Sequence, residues 1–318
     1  MRRFGPGFLG FCLALAAVPA AASPPFVFPV FNQGALARQH ALPSPEAASA
    51  EAGWHLQLDW TNEVLLEQAG TESLRLDSES LRLSISEHWR WAGWRFTAEL
   101  PLLITGGGVL DSGIEEWHGW FGLPNGGREQ LPRDAFRNTY TRGADTIFDV
   151  GDSGSRLGDL RLGAATCGEA LRCLRVMLQL PTGDADELEG GGLGAAGWYE
   201  QGFRLGVTER WSGAMAAGVS ATRGDGPLQD LMETLVPFGW LSLAYALTER
   251  LDAGVQFYAH GPLYDDSALE ALTRTGLQLA FGFRYALDES TFWTLGLQED
   301  LITRSSPDFS IHLGVEWH

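Results

Sequence analysis

The sequence predicts an all-β chain: a single transmembrane antiparallel β-barrel of about 12 strands with short helices in the outer loops. Three observations carry this. Apolar side chains recur at every second position in run after run; aromatic residues gather at one end of those runs; and an export-type leader precedes a chain without any further apolar stretch of the 18 or so residues that a spanning helix needs.

The alternation is clearest near the C-terminus. Leu277, Leu279, Phe281, Phe283, Tyr285 and Leu287 alternate with Gln278, Gly282, Arg284 and Ala286. Trp293, Leu295 and Leu297 repeat the pattern, as do Phe309, Ile311, Leu313, Val315 and Trp317 against His312 and Glu316. A strand turns successive side chains to opposite faces, so each run has one apolar face and one polar or small face. A soluble sandwich also alternates, but Tyr285, Trp293 and Trp317 cluster at one level, as rings do where an apolar wall meets a membrane interface.

The leader has a basic start, Arg2-Arg3, an apolar run over residues 8–18 and small residues at Ala20, Ala21 and Ala22, so residues 1–22 read as a signal peptide, with Cys12 inside it. Residues 23–52 form an N-terminal periplasmic or plug segment, and residues 53–318 the barrel. The location implied is the outer membrane of a Gram-negative bacterium, with outer-membrane lipid, lipopolysaccharide and the barrel-assembly machinery as partners and a monomer as the default state. A net charge of -18 argues against nucleic acid, whose phosphates need a basic surface. The basic residues are all arginine.

In chain order, residues 23–53 show no alternation. Phe26, Phe28 and Phe31 would face water in a loose tail, which favours a lumen plug, whereas termini are commonly loose, which favours the tail. Trp54, Leu56, Leu58 and Trp60 open the first strand, and the polar residues 67–72 are expected to be a loop. Short periplasmic turns and long outer loops should then alternate, with residues 104–156 the longest connection. Within the outer loops, Ile114, Trp117 and Phe121, then Leu228, Leu231, Met232 and Leu235, then Leu269 and Leu272 are spaced like short amphipathic helices. They are expected to pack as a lid or, alternatively, to offer an apolar capture site formed by Ile114, Trp117, Phe121, Leu228, Leu231 and Met232.

The inward face carries His55, Asp59, Arg82, His88, Arg95, Glu99, Arg161, Arg175, Glu200, Arg204, Arg284, His312 and Glu316, with Gln256 and Gln298. Arginine beside carboxylate in a narrow barrel reads first as a neutralising network and second as a polar pathway. Cys167 and Cys173 flank a tight turn at a spacing that allows a bridge in an oxidising compartment. No His-x-Ser pair occurs, and His118, His260, Asp265 and Asp266 make only a weak hydrolase case, so no enzyme, cofactor or metal is expected. Asp184, Asp186, Glu187 and Glu189 form an acidic loop that reads as solvated more readily than cation-binding.

Three short motifs carry a family resemblance: Phe31-Asn32-Gln33 running to Ala41-Leu42-Pro43, Trp120-Phe121-Gly122-Leu123-Pro124 with Arg128, and Leu180-Pro181-Thr182-Gly183. The chain resembles an uncharacterised outer-membrane β-barrel family of the domain of unknown function 3187 type. The Pro-Thr-Gly feature is also similar to the meta-pathway phenol-degradation outer-membrane proteins. The resemblance implies the barrel and no particular activity; the C-terminal His318 after Trp317 departs from the usual terminal aromatic. The functional expectation is a channel or transporter for small molecules, hydrophobic ones among the candidates, with a structural envelope barrel without transport as the alternative and an outer-membrane hydrolase ranked last.

Overall fold

A computed structural model describes residues 25–46, 52–122, 127–168, 171–206, 210–302 and 304–318; the expected signal peptide lies outside these residues. The strands are β1 (Gly53–Ala69), β2 (Glu72–Trp91), β3 (Trp94–Gly106), β4 (Asn138–Arg142), β5 (Asp145–Val150), β6 (Gly154–Leu157), β7 (Leu160–Gly168) and β8 (Arg172–Leu180). They continue as β9 (Leu193–Leu205), β10 (Trp211–Arg223), β11 (Leu235–Ala246), β12 (Leu251–His260), β13 (Gly276–Ala286), β14 (Thr291–Asp300) and β15 (Phe309–Trp317). Each pairs antiparallel with its neighbour, and β1 closes the ring on β15 with Trp54 opposite Trp317 and Asn62 opposite Phe309. With β6 and β7 sharing one wall position and β4 and β5 outside the wall, the ring has 12 strands.

Side-chain parity settles what the wall faces. On β8, Leu174, Val176 and Leu178 are 58%, 50% and 42% exposed, while Arg175 and Gln179 between and beyond them are 4% and 0% exposed. Apolar groups outside and charged groups inside is the inverse of a soluble core and fits a wall in hydrocarbon. Aromatic pairs ring its periplasmic end: Trp54 with Trp317, Trp91 with Trp94, Tyr285 with Trp293, and Trp211 with Tyr245.

The outer end departs from the sequence-based expectation in four ways. Residues 67–72 are the tip of a hairpin, turning at Gly70 with φ of 59°. Their polarity reflects anchoring: Glu67 accepts from the backbone N–H groups of Glu270 and Ala271 at 2.8 and 3.0 Å, and Glu72 accepts from the Tyr140 hydroxyl at 3.0 Å. Beyond Asn62 the β1–β2 ladder continues alone for roughly 20 Å at the rise of a strand, well above the wall. The long connection contains the hairpin β4–β5, which extends this flap through Glu72 opposite Arg142.

Of the expected amphipathic helices, only α1 (Asp111–Phe121) has length; it stops at Gly122, whose φ of 68° suits the left-handed cap. The residues around Leu228 form a single 3-10 turn, Gln229–Leu231, because β11 already begins at Leu235. Around Leu269 there is the four-residue α2 (Glu270–Thr273). The flap residues Leu65, Leu74, Leu76 and Tyr140 pack on Leu228, Leu231, Leu269 and Leu272, so the main apolar core sits over the outer mouth.

Candidate functional site: the occupied lumen

Residues 25–46 run up through the lumen and back. Pro25 lies beside Gly202, near the periplasmic end of β9. Phe26, Phe28 and Val30 pack on Ala244 and Ala280 of the inner wall. Room for these rings comes from Gly254 and Gly296, where any Cβ would stand 3.1–3.2 Å from Phe26 or Phe28 carbons. Gln256 both accepts from the Phe28 N–H at 2.9 Å and donates to its carbonyl at 2.8 Å, standing in for a strand partner. Asn32 donates to the Ser305 carbonyl at 2.9 Å and lies 2.8 Å from His260 Nε2. The chain turns at the mouth, where the Ala35 N–H reaches Glu63 at 2.9 Å and the Tyr264 hydroxyl donates to the Leu36 carbonyl at 2.6 Å. It descends past Thr222, which accepts from Ala41 N–H at 2.9 Å, and Tyr258, which donates to the Pro43 carbonyl at 3.1 Å. Glu46 ends the path on Arg175 at 2.7 Å.

The inward charged residues fall into separate groups instead of one network. Asp59, fully buried, accepts from Gln33 Nε2 at 2.7 Å and from Arg82 at 3.2 Å, and lies 2.7 Å from His312 Nδ1; Arg82 also bonds Glu99. Phe31 is clasped between guanidinium groups, Arg82 at 5.4 Å and Arg161 at 4.5 Å from its ring centre. A second group joins Arg175 to Glu200 at 3.1 Å and to Glu46. A third pairs Arg284 with Asp252 at 2.6 Å beneath the Phe26 ring. His55, His88 and Glu316 line a cavity of about 60 Å³ at the periplasmic end with Arg284 and Glu46. Arg95 lines a smaller cavity beside Arg175, and Arg204 is half-buried on the inner face of β9.

Part of the inner wall over β9 to β12 is aromatic, which the parity argument did not anticipate. Trp198 of β9, Phe238 and Trp240 of β11, and Tyr258 of β12 are all buried with ring centres 6.0–6.2 Å apart; Phe238, Trp240 and Tyr258 are stacked. The strand between them, β10, turns only small residues inward, and at Gly218 a Cβ would meet Trp198 Cβ at 2.4 Å and Phe238 at 2.8 Å. Ala41 and Leu42 of the descending limb belong to the same cluster. A signal was present in the sequence: once Leu241 and Leu243 are assigned to lipid, Phe238 and Trp240 must point inward.

At the mouth, His40 is fully buried with its ring edge-on to Tyr264 at 5.1 Å, and neither ring nitrogen has a hydrogen-bond partner among the described residues. Burial, helped by the nearby His260, pushes its imidazolium down to about 3. Burial likewise pushes the Tyr264 hydroxyl up. The loop residues grouped from sequence as one apolar site are divided. Leu228, Leu231 and Met232 join the core over the mouth, whereas Ile114 is buried apart from it and Trp117 packs on Phe309 with rings 6.2 Å apart; the Phe121 side chain lies outside the described residues. In the acidic loop, Arg156 sits 3.3–3.8 Å from Asp184, Glu187 and Glu189. His260 faces Asn32 and Gly261, while Asp266 pairs with Arg142 on the surface. Cys167 and Cys173 face each other across the β7–β8 turn and are bridged.

The described residues of the motifs behind the family resemblance include anchors, while Leu123 and Pro124 lie outside the described residues. Asn32 and Gln33 fasten the inner segment as described. Buried Arg128 bonds Asp111, Asn62 at 2.8 Å and Asp308 at 3.0 Å, tying α1 to the wall. Thr182 and Gly183 mend the break between β6 and β7: Thr182 Oγ1 donates to the Gly158 carbonyl at 2.7 Å and accepts from Leu160 N–H at 2.9 Å, while Gly183 N–H reaches Asp159 at 2.9 Å. A broken strand leaves backbone groups unpaired, and these residues satisfy them.

One solved structure shares the architecture, and two others align less closely. The COG4313 outer membrane channel from Pseudomonas putida F1 aligns with a TM-score of 0.50 at 14% identity, covering 88% of this chain and 97% of that one. The transport unit of the autotransporter AIDA-I from Escherichia coli gives 0.47 at 7% identity over 89% and 96%. The Pseudomonas putida toluene transporter TodX gives 0.42 at 12% identity over 91% and 98%. No curated protein matches the sequence. The model of one family matches residues 8–318, which carry both the strands and the anchoring motifs, and the chain therefore belongs to the family described as protein of unknown function (DUF3187).

Proposed function

We propose that this chain is an outer-membrane channel for small, apolar molecules and that residues 25–46 are its gate. One observation carries the reading: the lumen is filled by a segment that pairs with no strand and is held by side-chain hydrogen bonds, ring packing and the Glu46–Arg175 ion pair. None of these contacts belongs to the strand ladder, so the obstruction can leave without breaking the ring. The similarity of the fold to an outer membrane channel supports the same reading. The rival is an envelope barrel in which the segment is permanent filling. Planar-bilayer recording and liposome uptake of apolar solutes, on the intact chain and on a chain lacking residues 25–46, separate the two. Brief, rare openings in the intact protein and sustained current and uptake in the shortened one are expected; a shortened barrel that stays sealed to both supports the rival.

A further inference from the structure

We infer that the inner face of β9–β12 is a binding track for neutral ring-bearing molecules that carry a carbonyl or hydroxyl oxygen, and that the descending limb at Ala41–Pro43 occupies it in the closed state. This deepens the channel reading and rests on it. The track consists of Trp198, Phe238, Trp240 and Tyr258, an aromatic cluster on the inner face of β9, β11 and β12. Rings attract rings at these spacings, so a flat apolar guest finds successive equivalent positions.

Two features argue for a guest over simple filling. Trp198 and Trp240 are 6% and 3% exposed, and neither indole N–H has an acceptor among the described residues. Buried donors without partners are costly, and a core selected only to pack would use side chains that bring none. The limb that lies here already supplies the complementary group at one point, since the Pro43 carbonyl accepts from Tyr258. A guest with a ring and an acceptor oxygen replaces that contact and can satisfy an indole as well. Both indoles are donors only, so the track favours acceptors over ammonium groups. Small inward residues on β10 make room for the rings of β9 and β11, which close over Gly218.

The test uses acetophenone and ethylbenzene, which share a ring and similar size but differ in the oxygen. Calorimetric titration of the full chain in detergent, with the micelle background subtracted, reads binding independently of transport. One indole hydrogen bond should make acetophenone bind about fivefold more tightly than ethylbenzene. Leu42→Ala, which loosens the limb, should raise affinity for both probes. Trp198→Phe, Trp240→Phe and Tyr258→Phe together keep the rings and remove all three donors, so the preference should vanish while ethylbenzene binding persists. No binding to either the intact chain or Leu42→Ala, or a preference that survives the triple substitution, overturns the inference. Binding as expected without uptake into liposomes leaves the track standing and refutes the channel reading instead; uptake without binding does the reverse.

Discussion

Acidification should open the gate through His40. The ring sits outside the strands at the top of the inner segment, buried against Tyr264, with a folded value of about 3 against about 6.5 for a free histidine. A base whose value is depressed by burial stabilises the docked state only while neutral. Its contribution is complete above about pH 6.5 and is lost as pH falls toward 3. At pH 5 the undocked segment binds this proton almost fully and the docked one hardly at all, which costs the docked state about 2 kcal/mol, or roughly thirtyfold in the closed-to-open ratio. Single-channel recording on the intact protein from pH 7.5 to 5 reads this directly as open probability. His40→Phe keeps an aromatic ring against Tyr264 and removes this titration, so its profile should be clearly shallower than that of the intact protein over the same range. An intact channel indifferent to pH, or a His40→Phe channel with the same dependence, would falsify the reasoning.

Two further outcomes follow from the wall and its lid. Reducing the Cys167–Cys173 bridge, whose partners are 6 residues apart, should lower barrel stability by about 2 kcal/mol through loss of a short closed loop, seen as a lower unfolding temperature of the folded band on detergent gels; identical temperatures with and without reductant would refute a stapling role. Arg128→Ala leaves Asp111 and Asp308 without their buried partner and should cost about 3–5 kcal/mol locally. The expected readout is faster proteolysis within residues 107–137 while the barrel stays intact, and an unchanged cleavage rate would show that α1 is held by other contacts.

Strand parity was legible because lipid and lumen impose opposite demands on neighbouring residues: Leu174 and Arg175 could not exchange places. The same logic failed where neither lipid nor water is the neighbour. Trp198 and Phe238 face inward yet are apolar because they meet the inner segment, and residues 25–46 lack periodicity because they touch the wall on all sides rather than on one face. Residues 67–72 looked like a loop since their carboxylates are strand residues serving a helix end and a tyrosine across the mouth, contacts between positions about 70 to 200 apart in sequence that no local pattern encodes. Parity assigns the charged residues to a face, but which arginine meets which acid depends on the stagger of the ring, and so Arg175 with Glu46 could not be read from spacing.

Both limbs of residues 25–46 point back toward the periplasm, with Pro25 at one foot and β1 starting at the other. The segment is therefore looped in and never threaded across the wall. A tug on the chain ahead of Pro25 would draw it out as a bight of rope leaves a tube, breaking contacts a few at a time and leaving the hoop of strands whole. Energy for opening can thus be delivered mechanically from the periplasmic side, where Pro25 lies.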